Sequence, residues 1–282
     1  MTVVSRFAPS PTGYLHLGHA YSAMFAYEQA QQVNGKFLLR IEDIDQGRSR
    51  PEFEQQIFDD LGWLGLKWST PVRRQSEHFK DYKAALDTLM SMKLVYPCFC
   101  TRKDIQTEIH AAGGAPHGPD GPVYPGTCRN LSNDERSRMI GKGQEHAYRL
   151  DVEKSTISAG SLAWQDVVDG EMNAYPERFG DIVIARKETP TSYHLAVAVD
   201  DHLQDVTLVT RGRDLFEATD IHRLLQKLLN LNVPRYHHHS MVLGEDGKRL
   251  AKRNDSVSIK KLREGGATPD NICTMISKGI HD

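Results

Sequence analysis

His16 and His19 stand three residues apart in RFAPSPTGYLHLGHA (residues 6–20), a run that also holds Pro9, Pro11, Gly13 and Gly18. That spacing puts both imidazoles on one face of a helix's first turn. A helix start offers unpaired N–H groups and the positive end of a dipole to an anion. Two imidazoles placed there can donate hydrogen bonds to phosphate oxygens. The prolines stiffen the approach, and the glycines remove side chains where a ligand would press on the backbone. The glycine-rich phosphate loops G-x-x-x-x-G-K-[ST] and G-x-G-x-x-G are absent from the sequence. A loop whose histidines are satisfied by the protein itself is the competing reading, and these residues alone leave both open.

A second group with chemical capacity is Cys98, Cys100 and Cys128, a C-x-C pair followed 28 residues later by a third thiol. In a reducing compartment such clustering points to a metal ahead of a disulfide, and three thiolates want a fourth ligand to complete tetrahedral zinc. Judged by residue type alone, His117 or His110 would supply it. Cys273 is remote and reads as a small core residue. The chain has 282 residues and a net charge of -2, so bulk basicity does not advertise nucleic acid. Residues 248–263 (KRLAKRNDSVSIKKLR) are strongly basic, either a solvated face or a local contact for phosphate. The sequence holds no apolar run near the ~20 residues that span a membrane, and the N-terminus lacks the pattern of a signal peptide. A cytoplasmic protein is expected, with no membrane partner.

These groups need a scaffold. Residues 3–7 read as a buried strand, and 17–33 as a helix with Leu17, Tyr21, Met24 and Phe25 on its apolar side. Gly35 sits where that helix would end, and 36–41 read as a second strand running into the acidic turn Glu42-Asp43-Ile44-Asp45. Helices are predicted over 52–61, with Pro51 in the first turn, and over 77–92. Strands alternating with helices predict βαβ units around a parallel sheet, an α/β fold. From 97 to 128 the texture changes, and GGAPHGPDGPVYPG predicts a loop without helix or regular strand. Residues 98–180 therefore read as an insertion between two catalytic halves, 1–97 and 181–235. In the second half, 181–184, 194–199 and 206–210 are sheet-like, although 194–199 is short enough to be helical. A helix follows over about 217–230, and 236–282 is polar and broken by glycines.

The run at 6–20 resembles the opening of glutamyl-tRNA synthetases, and His16-Leu17-Gly18-His19 is similar to the HIGH motif of class I aminoacyl-tRNA synthetases. GKRLAKRN (247–254) resembles the KMSKS loop, and LLRIEDID (38–45) and VTRGRDLFEATDIH (209–222) are also similar to that family. The late motif keeps Lys252, while Arg249, Leu250, Ala251 and Arg253 depart from it. The resemblance implies a Rossmann-type class I catalytic core with a zinc-bearing insertion and a short helical C-terminal part. It implies that His16, Gly18, His19 and Lys252 bind ATP, with His16, His19 and Lys252 as the catalytic groups, and that Mg2+ accompanies the nucleotide. For glutamate it implies Arg6, Ala8, Ser10, Glu42, Tyr193 and Arg211. Arginines suit bidentate pairing with a carboxylate, and Glu42 suits the ammonium. VYPGTCR (123–129) resembles the Tyr-x-x-x-Cys ending of a zinc module in the shorter relatives, which makes Tyr124 the implied fourth ligand beside Cys98, Cys100 and Cys128, with His117 second.

Only 29 residues follow Arg253, too few for an anticodon-reading domain. The chain thus resembles the short branch of the family, which activates glutamate and transfers it to the queuosine base in the anticodon of tRNA(Asp). Region 236–282 is expected to carry the KMSKS-like loop and a helical tail, in a protein acting as a monomer. A truncated enzyme charging tRNA(Glu) and a non-catalytic RNA-binding paralogue are the alternatives.

Overall fold

The computed structural model describes residues 2–111, 116–242 and 257–280. The chain opens with strand β1 (Val4–Phe7), helix α1 (Leu17–Gln31), β2 (Lys36–Ile41), α2 (Pro51–Trp63), β3 (Ser69–Arg74) and α3 (Phe79–Ser91). β1, β2 and β3 are parallel, with Val4 opposite Lys36 and Phe7 opposite Leu39. Leu17, Tyr21 and Met24 of the expected apolar side of α1 pack against the core, but a row of alanines makes up its most buried part. Ala20, Ala23, Ala26 and Ala30 are fully buried, whereas Tyr21 and Met24 are only half-buried. A stripe of small side chains lets α1 lie close on the sheet, where the Ser5 hydroxyl donates to the Ala26 carbonyl at 2.7 Å.

The middle of the chain supplies β4 (Val95–Cys98), α4 (Arg102–Ala111), β5 (His117–Gly118), β6 (Gly121–Pro122), α5 (Asn133–Gly141), β7 (Ala147–Leu150), α6 (Val152–Ala159), β8 (Ala163–Asp166), β9 (Gly170–Asn173) and β10 (Val183–Ala185). β5 and β6 form a short hairpin inside the stretch expected to be without strands. Sheet membership also cuts across the boundary placed at 180. β10, assigned from sequence to the catalytic sheet, pairs antiparallel with β7, which pairs with β4. Conversely β8 and β9, assigned to the insertion, belong to a sheet with later strands. The residue pattern gives no sign of this, because which sheet a short strand joins is set by tertiary pairing.

The remainder comprises α7 (Tyr193–Leu203), β11 (Leu208–Gly212), α8 (Ala218–Leu228), β12 (Arg235–His239), α9 (Ile259–Glu264) and α10 (Pro269–Gly279). Segment 194–199, expected first as sheet, is helical. Every residue from Leu195 to Asp201 in α7 is buried, so the helix shows no polar face for a periodicity to reveal. β11, β12 and β8 run parallel, with β9 antiparallel at the edge. The Thr207 N–H donates to the Val4 carbonyl at 3.0 Å and the Val4 N–H to the Thr207 hydroxyl at 2.9 Å, which sets the β11 sheet beside β1. Among the described residues no helix is long and apolar enough to cross a membrane.

Candidate active site

Ligands of parallel α/β sheets bind beyond the carboxyl ends of the strands. A cavity of about 470 Å³ opens at such a place in this protein. Arg6 near the end of β1, Glu42 directly after β2, Arg211 near the end of β11 and Tyr193 at the start of α7 line it, together with Ala8, His16, Gly18 and His19. Ser10 is exposed and does not line it. Lys252, with Arg249, lies outside the described residues. Of the described residues on either side, Met241 and Val242 line the cavity and Ser258 bridges to His16.

His16 caps α1. Its Nδ1 accepts from the Gly18 N–H at 3.1 Å, and Nδ1 of His19 accepts from the His16 N–H at 3.3 Å. Histidines thus take the places of serine and glutamate in a reciprocal capping box. The tautomer this cap calls for leaves Nδ1 bare and puts the ring hydrogen on Nε2. The two rings lie 3.8 Å apart. The sequence alone suggested imidazoles aimed at an anion, and the cap supplies the reason their donor atoms are defined.

Behind the cavity lies a charge network that motif reading did not single out. Arg40 is fully buried and contacts Asp201 at 2.8 Å, Glu42 at 3.3 Å and Asp200 at 3.8 Å. Burial would lower its pKa, but Asp201, Asp200 and Glu42 override that and raise it. Asp201 also takes Arg6 at 3.0 Å, and Arg6 donates to the Thr210 carbonyl at 3.1 Å. Burial opposes ionisation of Asp201, yet Arg6 and Arg40 hold its carboxyl below the usual range. Glu42 differs: burial pushes its carboxyl up to about 6 against the pull of Arg40 and Arg6. Burial likewise raises the Tyr193 phenol.

Arg211 is buried too, but its partners are neutral. It donates to His238 Nε2 at 3.2 Å, His222 Nδ1 at 3.1 Å and the Thr219 hydroxyl at 2.6 Å. His238 in turn meets Asp166 at 2.7 Å. Burial and then Arg211 push His238 down to about 4 and His222 well below the ordinary imidazole value. His222 lies within the VTRGRDLFEATDIH run, but His238 sits in RYHHH, which reads as polar tail until β12 is seen to be buried.

Residues 2–279 match the model of the family described as tRNA synthetases class I (E and Q), catalytic domain. The chain belongs to that class I synthetase family. A Glutamyl-Q tRNA(Asp) synthetase from Rhodobacter capsulatus is 47% identical over 279 residues, covering 97% of this chain and 99% of the relative. A Glutamate--tRNA ligase from Aquifex aeolicus is 38% identical over 272 residues, which are 96% of this chain but 55% of the relative. Among solved structures, a glutamate tRNA ligase from Elizabethkingia meningosepticum in complex with its amino acid is similar with a TM-score of 0.80 and 25% identity. This chain spans 60% of that longer one. The family is one of ligases, so the cavity is the place to look for an enzyme's chemistry.

The class I fold here also carries the thiol cluster. The sulfurs of Cys98, Cys100 and Cys128 lie within 4.8 Å of one another, a group that could hold a metal ion. The Tyr124 hydroxyl stands 3.4 Å from the Cys100 sulfur and 3.5 Å from that of Cys98. His117 is exposed in β5 and His110 exposed in α4, and neither belongs to the cluster. A hydrogen bond from Cys128, then Tyr124 and Arg149, holds the Cys98 thiol below its ordinary value despite burial. Such a thiolate is the form a soft cation takes. Cys98 at the end of β4, Cys100 just beyond it, and Tyr124 and Cys128 after β6 supply three sulfurs and a phenol oxygen, the number of donors a closed zinc site uses.

Proposed function

We propose that this chain joins L-glutamate and ATP into glutamyl-adenylate and passes the glutamate to the queuosine base in the anticodon of tRNA(Asp). The observation that carries the amino-acid half is the pocket's charge pattern. Arg211 is a buried guanidinium whose described partners are all neutral, and it faces the same cavity as the carboxyl of Glu42. That pairing suits a ligand with a carboxylate at one end and an ammonium nearby. The α-carboxylate loses its charge on becoming an anhydride, so a fixed cation is of most use to the side-chain carboxylate. Arg6 already has Asp201 as counter-ion and serves as a second wall.

In activation the α-carboxylate oxygen attacks the α-phosphorus of ATP and pyrophosphate leaves. The Nε2–H donors of His16 and His19 stabilise phosphate charge as it shifts, with Lys252 as the late-motif cation. Mg2+ travels with the nucleotide. Cys98, Cys100, Tyr124 and Cys128 would hold zinc, which would supply a structural cross-link bracing the insertion.

The choice of RNA rests on the Rhodobacter relative, whose length this chain matches almost throughout. The Aquifex relative supports a second reading, charging of tRNA(Glu). Radiolabelled glutamate and ATP are offered with queuosine-containing tRNA(Asp) and with tRNA(Glu) separately. Label on tRNA(Asp) alone is expected. Label on tRNA(Glu) alone would select the second reading, and no glutamate-dependent ATP–pyrophosphate exchange would remove both.

A further inference from the structure

Arg211 offers five N–H groups. Its Nε–H goes to His238, one hydrogen of a terminal nitrogen to His222 and one of the other to Thr219. One hydrogen remains on each terminal nitrogen, available to an anionic ligand. This arrangement requires that both imidazoles present a bare nitrogen to the guanidinium. A proton on that nitrogen would set donor against donor.

What holds the bare nitrogen in place is visible on the far side of each ring. His238 gives its Nδ1–H to Asp166 Oδ2 at 2.7 Å, and both side chains are fully buried. The other oxygen of Asp166 accepts the N–H groups of Val168 at 2.8 Å and Asp169 at 3.1 Å, in the turn that joins β8 to β9. The carboxylate is therefore fixed by backbone and can only accept from the ring. On the second branch, His222 Nε2 meets His194 Nδ1 at 3.2 Å, and His194 Nε2 meets Asp120 at 3.2 Å on the β5–β6 turn. Each ring donates away from Arg211. Both chains end on a carboxylate, and neither carboxylate touches the guanidinium.

A carboxylate directly on Arg211 would neutralise it and compete with an anionic ligand. A neutral imidazole orients it and leaves its charge for the ligand. We propose that His238, locked by Asp166 in the tautomer that accepts from Arg211, is a positioning residue that sets the preference of this pocket for a carboxylate side chain over a carboxamide. The proposal rests on the reading that the cavity takes glutamate.

The test compares full-length parent with D166N, H238N and H238Q in ATP–pyrophosphate exchange, using L-glutamate as substrate and L-glutamine as competitor. In D166N the amide oxygen keeps the two backbone N–H groups and its NH2 turns to His238. The ring must then accept there and point N–H at Arg211. Glutamate KM is expected to rise about ten- to hundredfold, with kcat within a fewfold. Glutamine inhibition should weaken much less, so the glutamate-to-glutamine ratio collapses. Glutamine at position 238 can place its oxygen near the lost Nε2, whereas asparagine reaches only as far as Nδ1. H238Q should therefore retain most of the ratio that H238N loses.

A role confined to core stability would lower the melting temperature and leave the ratio alone. An unchanged ratio in D166N and H238N, alongside glutamate-dependent exchange in the parent, overturns the proposal. Absence of that exchange in the parent overturns the underlying reading instead.

Discussion

Replacing Glu42 by glutamine should make the protein more stable and a worse binder of glutamate. Two effects compete at this carboxyl. Loss of one member of a buried ion pair commonly destabilises by about 3–5 kcal/mol because the partner is left alone. Arg40, however, keeps Asp201 at 2.8 Å and Asp200 at 3.8 Å. Burial of Glu42 outweighs the attraction of both arginines, which is why its pKa stands at about 6 instead of 4.5. That difference corresponds to ~2 kcal/mol at about 1.36 kcal/mol per unit.

The direction follows from linkage. The folded state binds this proton more tightly than the unfolded state. Stability is therefore reduced by ~2 kcal/mol above pH 6 and recovers as the pH falls from about 6 to 4.5. Glutamine mimics the protonated form. For 282 residues, an unfolding entropy of about 2.1 cal/mol/K per residue gives a Tm gain of about 3 °C at pH 7.5. The gain should vanish below pH 4.5. Meanwhile glutamate KM in exchange assays should rise about ten- to hundredfold from the lost charge-assisted contact. In the parent, glutamate affinity should fall as pH drops through 6 and the carboxyl takes up its proton. Differential scanning calorimetry from pH 4 to 8, paired with exchange kinetics, checks both halves. A lower Tm for E42Q at pH 7.5, or an unchanged glutamate KM, would refute the reasoning.

Three other outcomes are expected. His16→Asn retains a good helix cap but removes the Nε2 donor, so exchange should fall about 10²–10³-fold with little change in thermal unfolding. Arg40→Met removes the cation shared by Asp200, Asp201 and Glu42, of which Asp201 keeps Arg6 and Asp200 keeps Arg73, and should lower stability by about 3–5 kcal/mol in urea titrations. Cys98→Ala should abolish zinc binding, read by elemental analysis, and expose the insertion to limited proteolysis, while the β1–β2–β3 region stays protected.

The lining of the cavity was readable early because motif residues sit at element ends, where composition is unusual. Arg6, Glu42 and the histidine pair fall at strand ends or a helix start, and the sequence marks such places with proline, glycine and acidic turns. What supports them was not readable. Asp200 and Asp201 lie in a helix buried all round, so HLAVAVDD shows alternation without an amphipathic period. Arg40 looks like one polar residue in an apolar strand, and only the three carboxylates around it explain its burial. Asp166 and His238 are 72 residues apart and meet through a strand pairing that local pattern does not encode. Ser10 is named by resemblance and does not reach the cavity wall.

The bridge between His16 and Ser258 acts at a distance along the chain. Beside it the Ile259 N–H donates to the Leu15 carbonyl at 2.8 Å, so the start of α9 is tied by backbone to the residues that cap α1. Ile259 is itself fully buried in the same core as Leu15. A substitution that unseats α9 should therefore disturb the histidine cap and the cavity rim, although α9 lies more than two hundred residues away along the chain.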